Sequence, residues 1–158
     1  MRREGRITSA QGRALDILWP KYGISDEESL LTATRLFEDQ RPLTLEIGFG
    51  NGQNLVDLAF AYPNRGYIGV DVYRPGAGRL MLELDRLGIN NVRILLQDAA
   101  EILLNRFSEH SLDCVLIYFP DPWPKKRHQK RRIVRPDFLR HLALCLKPGG
   151  ILHIATDC

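Results

Sequence analysis

Leu43-Thr44-Leu45-Glu46-Ile47-Gly48-Phe49-Gly50-Asn51-Gly52 is the stretch on which the reading of the fold turns. Residues 43–47 form a short apolar run of strand length, and it leads directly into three glycines at alternate positions. An apolar run of this length bounded by glycines predicts a buried strand and then a tight turn. Residues 54–61 read as the helix that follows. The spacing is GxGxG, not the GxGxxG of the dinucleotide fingerprint. Alone it is a weak signal, because a turn accounts for each glycine as well as a ligand does.

The alternation continues downstream. Residues 67–72 predict a second strand, 76–87 a helix ending at Gly88, 92–96 a third strand and 99–107 a third helix. Residues 112–119 are nearly continuously apolar, as a strand covered on both faces should be. Pro136 suits the first turn of a helix running to residue 146. Lys147-Pro148-Gly149-Gly150 ends that helix, and residues 151–155 form the fifth strand. Five strands separated by helical crossovers predict an α/β fold: a doubly wound, mostly parallel, Rossmann-like sheet.

Upstream, residues 1–40 show no strand alternation and read as an N-terminal arm with one helix. Ser25 and Glu28 have the spacing of a capping box. Leu30, Leu31, Ala33, Leu36 and Phe37 supply an apolar helical face up to Asp39. The predicted division is thus an arm and helix over 1–40 and a ligand-binding domain over 41–158. The chain stops at Cys158, directly after the fifth strand, which leaves the outer sheet edge uncovered. The expectation is that the natural protein continues and that its C-terminal strands are missing here.

A chain of 158 residues with 44% hydrophobic and 26% charged residues fits one globular domain. No apolar h-region follows the charged start, and no apolar run approaches the roughly 18 residues of a membrane span. A cytoplasmic protein without a membrane partner is the expectation; the oligomeric state is left open. Cys114 falls in a strand pattern, Cys145 in a helix pattern and Cys158 at the terminus, with no CxxC spacing. The first two read as core thiols, and neither a disulfide framework nor a metal site is predicted.

Charge is unevenly distributed. Lys125, Lys126, Arg127, Lys130, Arg131, Arg132 and Arg135 face Asp121 alone within residues 121–135, a local balance of +6. The whole chain carries only +3, so everything else sums to −3. Such a run is most often a solvated face. Its place directly after strand four, at the edge where open α/β sheets bind ligands, turns it into a candidate phosphate-binding surface. His128 sits within it and reads as a phosphate or solvent contact.

Three carboxylates join the glycine loop at that edge. Asp71 ends strand two, nineteen residues past Gly52, where a carboxylate can accept hydrogen bonds from ribose hydroxyls. Asp98 ends strand three, within reach of an adenine amino group; a helix N-cap is its other reading. Glu46 lies inside an apolar strand and needs a partner there. This layout matches S-adenosylmethionine sites, and NAD remains an alternative. No GK[ST] follows the glycines, so a P-loop is not predicted. After strand four, Phe119-Pro120-Asp121-Pro122-Trp123-Pro124 holds Asp121 on a backbone stiffened by prolines on both sides.

These residues resemble the bacterial tRNA (guanine-N7-)-methyltransferases. The resemblance rests on residues 45–52, on Phe119-Pro120-Asp121-Pro122-Trp123-Pro124-Lys125-Lys126-Arg127-His128 with Lys130-Arg131-Arg132-Ile133-Val134, and on Ala155-Thr156-Asp157. Gly5-Arg6-Ile7-Thr8 and Trp19-Pro20 look like the family's leading arm. The resemblance implies S-adenosylmethionine as cofactor, with Glu46, Asp71, Asp98 and Asp121 as its contacts beside Gly48, Gly50 and Gly52. It implies Asp121 as the catalytic residue and Lys125 and Asp157 as substrate contacts. Arg127, His128, Lys130, Arg131 and Arg132 then belong to the RNA-contacting stretch. The implied product is 7-methylguanosine in the tRNA variable loop, at position 46 of the usual tRNA numbering. The family continues past its Thr-Asp with further strands and a Thr-x-x-Glu motif, and this sequence ends before them. An amino methyltransferase acting on adenine or protein, a non-catalytic RNA-binding or partner subunit, and a nicotinamide dehydrogenase remain alternatives.

Overall fold

The computed structural model describes residues 6–25, 29–118 and 135–155. Its centre is a five-stranded sheet in the order β3-β2-β1-β4-β5, built from β1 (Leu43–Ile47), β2 (Gly66–Asp71), β3 (Val92–Leu96), β4 (Leu112–Tyr118) and β5 (Leu146–Ala155). Every pairing is parallel. The chain winds outward from β1 through β2 to β3, then crosses back to place β4 on the other side of β1. The carboxyl ends of β1 and β4 therefore flank the switch point, where a crevice opens in folds of this type.

Helices cover both faces, which is why β1 and β2 are buried along their whole lengths. On one face Leu45, Ile47, Val70 and Ile117 pack against α3 (Ala33–Phe37), α6 (Ala99–Asn105) and α7 (Pro136–Cys145). On the other, Tyr67, Val92 and Ile94 meet α4 (Gln53–Ala61) and α5 (Arg74–Leu87), whose Leu55, Leu80, Met81 and Leu84 are fully buried. Strands and helices from 43 onward follow the predicted order, with ends shifted by a residue or two in most cases.

Two further helices, α1 (Ser9–Ile17) and α2 (Trp19–Tyr22), lie in the arm. Thr8 and Gln11 close a reciprocal capping box at 3.1 and 3.0 Å, a T-x-x-Q signal that was legible in the sequence. Ala14 and Leu15 pack with the α5 core, and Tyr22 is fully buried with its hydroxyl donating to the Ile89 carbonyl.

The helix predicted from Ser25 begins only at Ala33, capped by Thr32. Arg106 explains the difference. Its buried guanidinium takes the carbonyl oxygens of Ser29 at 2.7 Å and Ser25 at 3.0 Å, and its own carbonyl accepts the Leu31 N–H. A helix from Ser25 would need those carbonyls internally. The Ile24 N–H meanwhile donates to Ile94 at the β3 edge. Glu28 lies outside the described residues.

The fifth strand also departs from expectation. It starts at Leu146, opposite Leu112, and then shifts register so that Ile151 faces Cys114. Lys147-Pro148-Gly149-Gly150 is thus a bulge inside the strand, with Gly149 at φ +80°. The Lys147 ammonium sits 3.3 Å from both oxygens of Asp113, which fixes the bulge to β4. Cys145 is a buried core thiol as predicted, but Cys114 is only half-buried. Cys158 lies outside the described residues.

Candidate cofactor site at the carboxyl edge

Strand β1 delivers its glycine loop to the carboxyl edge beside the switch point. Gly48 and Gly50 adopt φ +74° and +60°, and a Cβ on either would meet nothing within 4 Å. Left-handed backbone with open space above it is what close approach of a ligand requires. The other glycines there serve packing. A Cβ on Gly52 would sit 2.7 Å from Leu80, and one on Gly76 only 1.9 Å from the Gly50 carbonyl oxygen. The first turn of α5 therefore rests directly on the loop.

Asp71 braces that loop from the next strand. Its Oδ2 accepts the Gly50 N–H at 2.9 Å, and its Oδ1 accepts the N–H groups of Val72 and Tyr73 at 2.7 and 3.1 Å. Glu46 stands one strand away, 3% exposed, with Asn54 Nδ2 donating to its Oε1 at 3.0 Å. Burial raises the Glu46 carboxyl to about 7; the Asn54 hydrogen bond opposes the shift and the charge of Asp71 adds to it. Among the described residues no cation pairs with Glu46.

Asp98 ends β3 on the same edge but is exposed, and its Oδ1 caps α6 by accepting from Ala100 at 3.0 Å and Glu101 at 3.3 Å. The structure thus brings Glu46, Gly48, Gly50, Gly52 and Asp71 together and leaves Asp98 two strands from β1. Asp121, Lys125, Arg127, His128, Lys130, Arg131, Arg132 and Asp157 lie outside the described residues. The described strands that lead to them end side by side, with Tyr118 paired to Ala155.

Three residues at this edge were not singled out from the sequence. Tyr118 ends β4; burial raises its phenol, and Glu46 adds to the effect. Its hydroxyl lies 3.3 Å from His153 Nδ1, with the rings edge to face at 5.4 Å. Asp16 and Trp19 of the arm line a cavity of about 350 Å³ with Val72, Arg74 and Leu96, at the carboxyl ends of β2 and β3. For Trp19 the sequence signal is Trp19-Pro20, which marks the arm but not its place at this edge. A larger cavity, of about 540 Å³, opens at the opposite edge and has no part in this site. The edge as built suits a cationic ligand bearing hydroxyls: an uncompensated buried carboxylate, a second carboxylate with acceptor capacity left on Oδ2, and bare glycine backbone.

Among the described residues no cluster of His, Cys, Asp or Glu is placed to hold a metal, and no helix is long and apolar enough to cross a membrane. Residues 40–158 match the family described as "Putative methyltransferase". The tRNA (guanine-N(7)-)-methyltransferase of Alkalilimnicola ehrlichii is 48% identical over 159 residues, covering 99% of this chain and 67% of that protein. That of Nitrosococcus oceani is 50% identical over 157 residues, covering 99% and 66%. The chain thus spans about two thirds of the length of these relatives. Among solved structures, the aminoglycoside resistance methyltransferase NpmB1 superposes with a TM-score of 0.54 at 25% identity, over 73% of this chain and 56% of that one. The sheet order and glycine-loop edge accordingly form a Rossmann-like, class I methyltransferase fold. With near-half identity sustained along its whole length, the chain belongs to the tRNA (guanine-N7-)-methyltransferase family.

Proposed function

We propose that this protein methylates N7 of a guanine in tRNA at the expense of S-adenosylmethionine. The position read is 46 in the variable loop, the product is 7-methylguanosine, and the setting is the cytoplasm. The observation that carries this reading is the acidic, glycine-floored edge around Glu46 and Asp71, in a chain of this family. S-adenosylmethionine supplies, when bound, an electrophilic sulfonium methyl group. Glu46 and Asp71 offer carboxylates to its cationic and hydroxyl-bearing parts, while Gly48 and Gly50 leave their backbone approachable. Asp98 faces the adenine, and Leu96 and Val72 provide apolar wall beside it.

Guanine N7 carries an in-plane lone pair, so no proton has to be removed before it attacks. The residues of the chain therefore align and stabilise; they need not act as base or nucleophile. Attack leaves the purine cationic. Asp121, between Pro120 and Pro122 in the sequence, stabilises that charge or accepts hydrogen bonds from the Watson–Crick edge. Lys125 and Asp157 contact the substrate, and Arg127, His128, Lys130, Arg131 and Arg132 hold the RNA backbone by phosphate neutralisation.

Calorimetric titration tests the cofactor half of this proposal. S-adenosylmethionine should bind with saturable heat and NADH should give none. Saturable NADH binding with no response to S-adenosylmethionine would overturn it.

A further inference from the structure

The amino edge of the sheet, remote from the carboxylates, carries a feature the methyl-transfer site does not use. Arg41, Arg65 and Arg93 stand at the starts of β1, β2 and β3, neighbouring strands in a body that is net negative outside residues 121–135. Arg41 and Arg93 line the cavity of about 540 Å³, together with Phe37, Phe60, Asn90 and Asn91. Among the described residues no carboxylate lines the cavity itself, although Asp39 holds Arg41 through both oxygens. Its size falls within the about 300–1,000 Å³ of small-ligand sites.

Both guanidiniums lie over one ring: their carbons are 5.1 Å (Arg41) and 4.9 Å (Arg93) from the Phe37 centroid. Arg41 is paired with Asp39. Arg93 is half-buried and, among the described residues, bonds only through Nη1, to the carbonyls of Asn90 and Val92. Burial lowers its guanidinium, Tyr22 opposes that, and neighbouring Arg41 adds a smaller push in the direction of burial, so an anion brought to this point offsets part of the cost of burying the charge. The wall is rigid, since Asn91 Nδ2 donates to the carbonyls of Ala59, Tyr62 and Arg65. Phe60 leaves a ring 66% exposed at the rim. Paired guanidiniums beside an exposed aromatic face match a nucleotide, phosphate on the cations and base on the ring.

We propose that this amino-edge cavity holds a nucleotide of the RNA substrate, with Arg41 and Arg93 on its phosphate and Phe60 under its base. The site rests on the reading of tRNA as substrate, and gives that substrate a second point of contact across the sheet from the glycine loop.

The test is tRNA binding by fluorescence anisotropy across a salt series, for the parent chain, the double variant Arg41→Gln/Arg93→Gln, and Phe60→Ala. Phe60 is exposed, so its variant keeps the probe independent of folding. The double variant should bind about tenfold more weakly, with a log–log salt slope shallower by about one. Phe60→Ala should weaken binding several-fold with the slope unchanged, and both should bind S-adenosylmethionine as the parent does. Parental tRNA affinity and slope in both variants would overturn the site while leaving tRNA as substrate intact. A parent that does not bind tRNA at all would overturn both.

Discussion

Asp71 Oδ2 accepts the backbone N–H of Gly50 at 2.9 Å, so the carboxylate that ends the second strand holds the glycine loop that follows the first. Its other oxygen is occupied by the N–H groups of Val72 and Tyr73. On the proposed reading of Asp71 as a cofactor contact, loop position and ligand binding are coupled through one side chain. In Asp71→Asn an NH2 group, which cannot accept, must face either Gly50 or the Val72–Tyr73 pair. We expect a loss of about 1–3 kcal/mol in stability from the unpaired donor, measured by urea denaturation. Cofactor affinity should fall at least tenfold by calorimetry. Unchanged stability would show that the Gly50 bond does not matter.

Glu46 gives a pH signature. Its carboxyl titrates near 7 in the folded chain against 4.5 for the free group, so the folded state holds the extra proton between those values. Stability from this group is present below pH about 4.5 and is lost as pH rises through about 7, a change of roughly 3 kcal/mol at most. Glu46→Gln should abolish that loss and denature later than the parent at neutral pH. The same titration governs ligand binding: a cationic cofactor prefers the carboxylate, so affinity should rise up to about tenfold per pH unit until pH about 7 and then level off. Calorimetry at several pH values measures this, and a flat parent profile would count against Glu46 as a contact.

Gly50 and Gly52 separate ligand space from packing. Gly50→Ala should cost about 1–2 kcal/mol from its left-handed backbone, while its methyl enters the gap where a ligand would lie. Cofactor affinity should then fall by more than stability does. Gly52→Ala meets Leu80 and should be the more destabilising of the two. Thermal melts with and without S-adenosylmethionine distinguish them, because only the Gly50 variant should lose the ligand-induced shift out of proportion to its stability.

Asp121→Asn is nearly isosteric and removes the charge. We expect turnover on tRNA to fall by a factor on the order of 10² or more, with cofactor affinity changed several-fold at most. Single-turnover kinetics and calorimetry read the two quantities separately, and a wild-type rate would remove Asp121 from the chemistry.

The strands and helices from Leu43 onward were legible because they are punctuated by residues with one structural use. Gly88 ends α5 in the left-handed conformation, and Pro136 opens α7. The glycine loop and the positions of Glu46 and Asp71 were legible for the same reason. The backbone duties of Asp71 were not, since a hydrogen bond spanning 21 residues leaves no local pattern. Local signals also failed where a distant side chain intervened. Arg106 took the carbonyls that a helix from Ser25 needed, and Asp113 drew Lys147 into a bulge that read as a strand boundary. No local pattern links Arg41 to Arg93, because fifty-two residues separate them in the chain and only the sheet brings them together.

The most direct measurement is the identity of the methylated nucleoside. The protein is incubated with unmodified tRNA and methyl-labelled S-adenosylmethionine, and the RNA is digested and resolved by mass spectrometry. The predicted result is label in 7-methylguanosine, mapped to position 46 of the variable loop. Label in a methylated adenosine, or no labelled nucleoside from a folded protein that binds both S-adenosylmethionine and tRNA, would contradict it.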